Sequence, residues 1–210
     1  MTPIPEPRKS PRQSRSRATV DAIIEATARI LETGGRDAAT TNAIAETAGV
    51  SIGSLYQYFP SREAIFALMI RTMRAEMHAD LTEARTQAEA TSLHEAVDIL
   101  VAASLRHHLR RPALAEALEE IERTLPLDAE TETLKRALNA NITGILAHHG
   151  VADPATSAFD LVAIAHGMAS MAVSAGQRDV ADLHARICRA ARGYLGLVPP
   201  KELADEQASR

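Results

Sequence analysis

The chain has 210 residues, of which 46% are hydrophobic, enough for one large domain or two small ones with a substantial apolar core. This composition excludes a disordered protein over most of the length. Aromatic residues make up only 3% and Trp is absent, so the core must consist of Ala, Leu, Ile, Val and Met, which favours an all-α fold. The single cysteine, Cys188, excludes an internal disulfide.

Charge is distributed unevenly along the chain. Residues 1–75 carry 10 Lys and Arg against 7 Asp and Glu, whereas the remaining residues carry 13 against 20. We therefore expect an anionic partner to meet the amino-terminal part, and the difference in chemistry predicts two domains. The first residues lack the apolar segment of a signal peptide, and the longest apolar stretch, 158–176, is interrupted by Asp160 and His166. A cytoplasmic protein is expected.

The amino-terminal residues 1–16 are rich in Pro, Ser, Arg and Lys and contain few apolar side chains. This composition predicts a disordered basic arm, which either brings positive charge to an anionic partner or is a solvated tail. From Arg17 onward, apolar residues recur at three- and four-residue spacing as far as the glycine pair at 34–35. That pattern predicts a first helix that ends at the glycines.

Hydroxyl side chains mark the starts of the next three helices. The capping positions are Thr40 or Thr41, Ser51 and Ser61. Gly49 is expected to end the second helix, and Pro60 ends the third because proline disfavours α geometry in the residue before it. The fourth helix is expected to run towards residue 80 or beyond.

The remaining chain predicts five more helices and no strand. A capping box at 92–95 starts the first of them, and an Asp-Pro pair at 153–154 starts the fourth. Their expected bounds are about 93–110, 113–123, 128–149, 155–175 and 179–195. Residues 199–210 are expected to be a disordered tail.

Residues 40–59 contain three of the six Phe and Tyr residues but almost no charge. A small Ala45 and a turn at Gly49 allow two short helices to cross steeply, with Val50 and Leu55 as apolar anchors. This spacing is that of a helix-turn-helix. Its second helix presents hydroxyls and an amide suited to phosphate oxygens and base edges. Gly53 inside it costs about 1 kcal/mol relative to Ala, so close approach to a DNA groove is expected there.

On these residues the segment 17–75 resembles the amino-terminal domain of the TetR family of bacterial transcriptional regulators. The resemblance rests on the helix-turn-helix spacing joined to "LYQYFPSREAIF". It implies a DNA-binding domain at 17–76 with its motif at 40–59, and a helical ligand-binding and dimerisation domain at 77–198. The family pairs two chains through the last two helices, so the resemblance implies a homodimer.

The resemblance also implies which residues meet double-stranded DNA. It implies that Tyr56, Tyr58 and Thr41 contact DNA phosphates. Arg62, at the start of the fourth helix, would bind the DNA backbone. The complete predicted set is Arg15, Arg17, Thr40, Thr41, Ser51, Ile52, Gly53, Ser54, Tyr56, Gln57, Tyr58 and Arg62. The recognition helix departs from expectation because it has no Lys or Arg, so charge must come from the arm, which also contains Arg8, Lys9 and Arg12.

In the second domain, polar residues on apolar helix faces are either satisfied core groups or contacts in a ligand cavity. The expected ligand-binding residues are Leu105, His108, Asn141, Ile145 and His166. The helix at 155–175 is apolar nearly all round, which predicts burial on more than one side, in a dimer interface or as a central core helix. The expected interface residues are Phe159, Ala165, Met168, Leu183, Ile187 and Tyr194.

These observations predict a ligand-responsive transcriptional repressor released from an inverted-repeat operator by a small-molecule effector. One alternative is a DNA-binding regulator controlled by a protein partner. A more remote alternative is a metal-dependent helical enzyme built on the histidines. We expect no enzyme, no cofactor and no metal site, since the sequence has no nucleophile elbow, phosphate loop or HExxH motif and neighbouring histidines on a helix diverge by about 100°.

Overall fold

The computed structural model describes residues 14–126, 128–177 and 179–197. Within these ranges the chain forms nine helices and no strand. The helices are α1 Ser14–Ala38, α2 Thr41–Thr47, α3 Ile52–Tyr58, α4 Arg62–Glu89, α5 Leu93–Arg110, α6 Pro112–Thr124, α7 Ala129–His148, α8 Pro154–Ser174 and α9 Val180–Tyr194. The predicted all-α class is confirmed. The predicted tail at 199–210 and arm residues 1–13 lie outside the described residues.

The helix boundaries follow the local signals in the sequence. In α5, Ser92 and Glu95 form the expected capping box, with the Glu95 amide donating to Ser92 Oγ at 3.3 Å and the Ser92 amide donating to Glu95 Oε2 at 3.2 Å. At α8, the Asp153 carboxylate accepts from the Thr156 amide. The first helix begins at Ser14 and its backbone leaves helical geometry at Gly35, where φ is 67°.

The described residues of Met1–Glu76 and Arg110–Lys135 form one compact unit, and those of Met77–Leu109 and Arg136–Arg210 form another. The first unit is built on large buried side chains of α1, α3 and α4, including Ile23, Leu55 and Phe66. The sequence placed residues 110–135 in the second domain, whereas the structure groups α6 with the first unit because it packs along α1.

Ion pairs hold α6 to α1 inside this first unit. The guanidinium of Arg111, beside the first residue of α6, donates to both oxygens of Glu32 at 2.7 Å and to Glu25 at 2.8 Å. These bonds lower the pKa of Glu25 and raise that of Arg111. A guanidinium that binds two carboxylates fixes the orientation of α6 on α1 as well as its position.

The second unit contains two apolar clusters. In one, Leu81 of α4 and Leu100 of α5 pack against Ile142 and Leu146 of α7. In the other, Val101 of α5 packs among α8 and α9 side chains. By length and composition, α8 is the one helix among the described residues that could cross a bilayer, a test that core helices of soluble proteins also pass.

Candidate nucleic-acid interface

A tight turn joins α2 to α3. Thr40 caps α2 by accepting from the Ala43 amide at 3.2 Å. At the other end, the Val50 amide donates to the Ala45 carbonyl at 3.0 Å and Gly49 takes a φ of 67°. This pairing is a Schellman ending, which requires the left-handed conformation that glycine adopts without strain. The turn therefore forms where the sequence predicted it.

The ends of α3 are set by equally local bonds. Ser51 Oγ accepts from the Ser54 amide at 3.0 Å and lies 2.8 Å from Ser54 Oγ. Phe59 closes the helix in extended geometry, with φ −125°, immediately before Pro60. The start and the end of α3 are thus set by the residues from which the sequence analysis predicted its bounds.

The two helices bury one face and expose the other. Ile44, Ala45 and Leu55 are buried, while Val50 is half-buried, so the anchoring rests mainly on Leu55. The outer surface includes the predicted DNA-contacting residues. Exposed residues are Thr40, Ser51, Ile52, Gly53, Tyr56 and Gln57, and half-buried ones are Thr41, Ser54, Tyr58 and Arg62.

Gly53 lies on this outer surface with open space around it. A Cβ placed there would find only Ser51 Oγ within 4 Å, at 3.9 Å. The packing of the protein therefore does not require glycine at this position. The absence of a side chain leaves the backbone of α3 accessible, which suits a helix that must approach another surface closely.

Arg62 stands at the start of α4, beside the end of α3. Its Nε donates to Glu63 at 3.0 Å and its Nη1 donates to the Arg36 carbonyl at 3.4 Å. Although partial burial acts in the opposite direction, hydrogen bonds from its own amide and from Arg62 hold the pKa of Glu63 below its usual value. The sequence did not single out Arg36, because only the bend at Gly35 brings its carbonyl here.

The basic residues predicted to serve this surface are only partly described. Arg17 is exposed on α1, whereas Arg15 belongs to α1 by its backbone and its side chain lies outside the description. The predicted arm residues Arg8, Lys9 and Arg12 also lie outside the described residues. Assignment of individual side chains to DNA stays a prediction.

Models of two known domains match the chain. The model described as bacterial regulatory proteins, tetR family, matches residues 23–69, and the model described as tetracyclin repressor-like, C-terminal domain, matches residues 92–195. The chain belongs to the TetR family. The first match contains the helix-turn-helix, and the second spans α5 to α9. This family is described as one of bacterial regulatory proteins.

Two curated relatives resemble part of this TetR-family chain. Over 96 residues it is 31% identical to the HTH-type transcriptional repressor KstR of Mycolicibacterium smegmatis and 30% identical to that of Mycobacterium tuberculosis. The match covers 46% of this chain and 46% and 43% of the two relatives, so the chain spans less than half of their length.

A solved transcriptional regulator from Rhodococcus sp. RHA1 has the same TetR fold. The two share 19% sequence identity at a TM-score of 0.70, over 86% of this chain and 99% of that chain. At this level of identity the likeness concerns the fold. The structural likeness includes the helical second part of the chain as well as the helix-turn-helix.

The second unit separates the predicted ligand-binding residues into two groups. His108 and His166 approach each other, with ring centroids 5.9 Å apart, and Leu105 lies in the apolar cluster that α5 shares with α8 and α9. Ile145 belongs to the other cluster, and Asn141 donates to Thr82 Oγ1 at 3.1 Å. These residues stay candidates for effector contact.

The predicted dimer residues also divide. Ala165, Leu183 and Ile187 pack inside the protomer's own core, so their side chains are not available to a partner. Periodicity identified their apolar faces but not what covers them. Phe159 and Tyr194 are exposed, at 67% and 43%, and Met168 is half-buried.

Proposed function

We propose that the protein is a homodimeric transcriptional repressor that binds an inverted-repeat operator and leaves it when a small molecule binds the second unit. The observation that carries the proposal is the outer face of α3, where exposed hydroxyls and Gln57 surround an unobstructed Gly53. Such groups suit phosphate oxygens, base edges and thymine methyls. Two curated relatives are named as repressors, which supports repression rather than activation. A protein with this role works in the cytoplasm, where its DNA lies.

In this proposal, selection of the operator sequence does not depend on charged side chains of α3. The α3 helix has no Lys or Arg to bind guanine edges. Gln57, the serine hydroxyls, apolar contact from Ile52 and the shape of the DNA therefore select the operator. Positive charge comes from Arg62 and the amino-terminal arginines.

Dimerisation is supported by the outside of α8 and α9. Large apolar side chains there are exposed to solvent, among them Phe159, Met171 and Val180. Met171 also lines an apolar groove of about 710 Å³, together with Ile164 and Met168. Exposed patches of this kind mark protein interfaces. A two-fold dimer would place two α3 helices about 34–36 Å apart, in successive major grooves.

Release by an effector is proposed to pass through α4. This helix is continuous from Arg62 to Glu89 and carries Leu81 in an apolar cluster of the second unit. An apolar ligand that displaces the Leu81 end would therefore move the Arg62 end. A coupling of about 1–3 kcal/mol changes operator affinity roughly 5- to 150-fold.

The test begins with the full chain and a pool of random DNA. Selected sequences should converge on an inverted repeat with half-sites about 10 base pairs apart or a multiple of that spacing. Sedimentation at micromolar concentration should give a dimer. A thermal-shift screen should then find compounds that both stabilise the protein and release the DNA. Failure to select any sequence would overturn the DNA-reading role, and a monomer would overturn the dimer.

The exposed apolar face of α8 and α9 also fits control by a protein partner. The two proposals differ in what the chain does alone. A partner-controlled regulator would sediment as a monomer, and no small molecule in the screen would change its operator affinity. A dimer that releases DNA on ligand addition excludes this alternative.

A further inference from the structure

Three potential metal ligands meet on α5 and α9, inside the second unit. Asp98 comes from α5, and His184 and Cys188 come from α9, where their four-residue spacing puts them on one helical face. A carboxylate oxygen, an imidazole nitrogen and the Cys188 sulfur all lie within 4.8 Å of one another. Sequence reasoning missed this group because it compared neighbouring histidines rather than residues on different helices.

The ring of His184 lies between the Asp98 backbone and the Cys188 sulfur. Its Nε2 lies 3.3 Å from the backbone carbonyl of Asp98. A carbonyl can only accept, so Nε2 carries the proton and Nδ1 keeps a lone pair. The sulfur of Cys188 lies 3.8 Å from this Nδ1 and 3.7 Å from Nε2, so a metal ion would have to enter on the Nδ1 side of the ring. Metal-binding histidines typically donate their second nitrogen to a carbonyl or carboxylate in this way.

A cation already balances the carboxylate of this group. Arg192, one turn beyond Cys188 on α9, pairs with Asp98 and also donates to the His94 carbonyl from Nε at 3.3 Å and Nη2 at 3.0 Å. A carboxylate has two oxygens, so Asp98 can keep Arg192 on one and offer the other to a metal. Arg192 thereby holds Asp98 in position beside the α9 ligands.

We propose that Asp98, His184 and Cys188 form a binding site for a zinc ion. Thiolate, imidazole and carboxylate are the side chains that zinc selects, and three protein ligands leave a fourth tetrahedral position for water. On binding, a zinc–sulfur bond forms and the thiol proton passes to solvent. The ion would join α5 to α9.

The exposed side chain of Asp98 gives a zinc ion a route from solvent to the buried sulfur of Cys188. The Asp98 side chain is 43% exposed, whereas Cys188 is only 1% exposed. Zinc therefore reaches the carboxylate first and the sulfur last.

The test is calorimetric titration of the reduced, tag-free full chain with zinc alone, in the absence of DNA. We expect one ion per chain. Asp98→Asn and His184→Gln should each weaken binding at least about 10-fold, because removing a ligand costs no less than removing a group that supports one. The matched control His148→Gln changes an exposed histidine of α7 and should bind zinc like the wild type. Equal binding by all four proteins would overturn the site.

Cobalt provides an independent readout from the unmodified chain. A cobalt ion bound by the Cys188 sulfur gives a sulfur-to-metal charge-transfer band in the near ultraviolet. We expect this band in the wild type and in His148→Gln, and its loss in Cys188→Ala. Absence of the band from cobalt-loaded wild type would overturn sulfur ligation, even if Cys188→Ala does not fold. Neither measurement depends on operator binding, so failure of the proposed repressor role would leave this site standing.

Discussion

The side-chain oxygens of Thr41 and Tyr56 lie 3.3 Å apart, within hydrogen-bonding distance, and join the first residue of α2 to the middle of α3. The two residues are 15 positions apart in sequence. Their contact places two hydroxyls side by side on the outer face of the helix-turn-helix. When Thr41 donates to Tyr56, the Tyr56 hydroxyl is held in place with its own proton free to donate to a phosphate oxygen.

The Tyr56 hydroxyl is expected to bind the DNA backbone. Tyr56→Phe removes only that hydroxyl and should weaken binding to operator and to unrelated DNA by about the same factor, roughly 5- to 10-fold for one hydrogen bond. Because tyrosine is neutral, the dependence of affinity on salt should not change. Fluorescence anisotropy at several salt concentrations measures both quantities. A loss confined to the operator would argue against a phosphate contact.

Gln57 is expected to read a base edge. Gln57→Ala should reduce discrimination between operator and mismatched DNA by about 1–3 kcal/mol while leaving binding to unrelated DNA nearly unchanged. The matched control Gln87→Ala removes an exposed glutamine from α4, in the second unit, and should have no effect. Competition binding against single-base variants checks the outcome. Unchanged discrimination in Gln57→Ala would remove this residue from the reading set.

Gly49 and Gly53 should respond in opposite ways to alanine. Gly53→Ala adds a methyl group in open space and should stabilise α3 by about 1 kcal/mol, yet weaken operator binding because the methyl faces the DNA groove. Gly49→Ala must adopt a φ of 67° and should destabilise the protein by about 1–2 kcal/mol. Urea unfolding and operator titration separate the two effects. Tight operator binding by Gly53→Ala would contradict close approach at this position.

Arg111 should stabilise the packing of α6 on α1. Arg111→Ala removes its bonds to Glu25 and Glu32 and should lower the free energy of unfolding by about 1 kcal/mol, a modest loss because the group is partly exposed. Arg111→Lys should recover only part of it, since an ammonium group cannot form the two-pronged pair. The neighbouring exposed Arg110→Ala is the control. Urea unfolding gives the three values, and equal stability of Arg111→Ala and wild type would contradict a stabilising role.

The same pair predicts a loss of stability in acid. Hydrogen bonds from Arg111 and Arg29 hold the pKa of Glu25 below its ordinary value of 4.5. The carboxylate therefore contributes stability above about pH 4.5, and that contribution disappears as pH falls through the lower folded value. Urea unfolding from pH 7 to pH 3 should show a smaller acid loss in Glu25→Gln than in wild type. If wild type and Glu25→Gln lose stability in parallel as the pH falls, Glu25 does not contribute to the acid dependence of the free energy of unfolding.

Short-range chemistry explains how much of the interface the sequence could predict. Thr40 and Ser51 cap helices through bonds to residues three positions ahead, and Gly49 ends α2 within one turn. Pro60 acts only on the residue before it. Interactions of this range depend on neighbours in sequence, so the residues themselves identify the helix-turn-helix and its exposed face. The contact between Thr41 and Tyr56 needed the folded turn.

The sequence by itself determined the helical class, the helix ends and the DNA-reading motif, because each depends on spacing and caps within a few residues. Only the tertiary structure decided that α6 packs on α1, through Arg111 and a glutamate 79 residues away, and that Ile187 turns inward. It also brought Asp98 to His184 across 86 residues. An apolar stripe shows that a helix face is buried, but which neighbour buries it is settled by packing the whole chain.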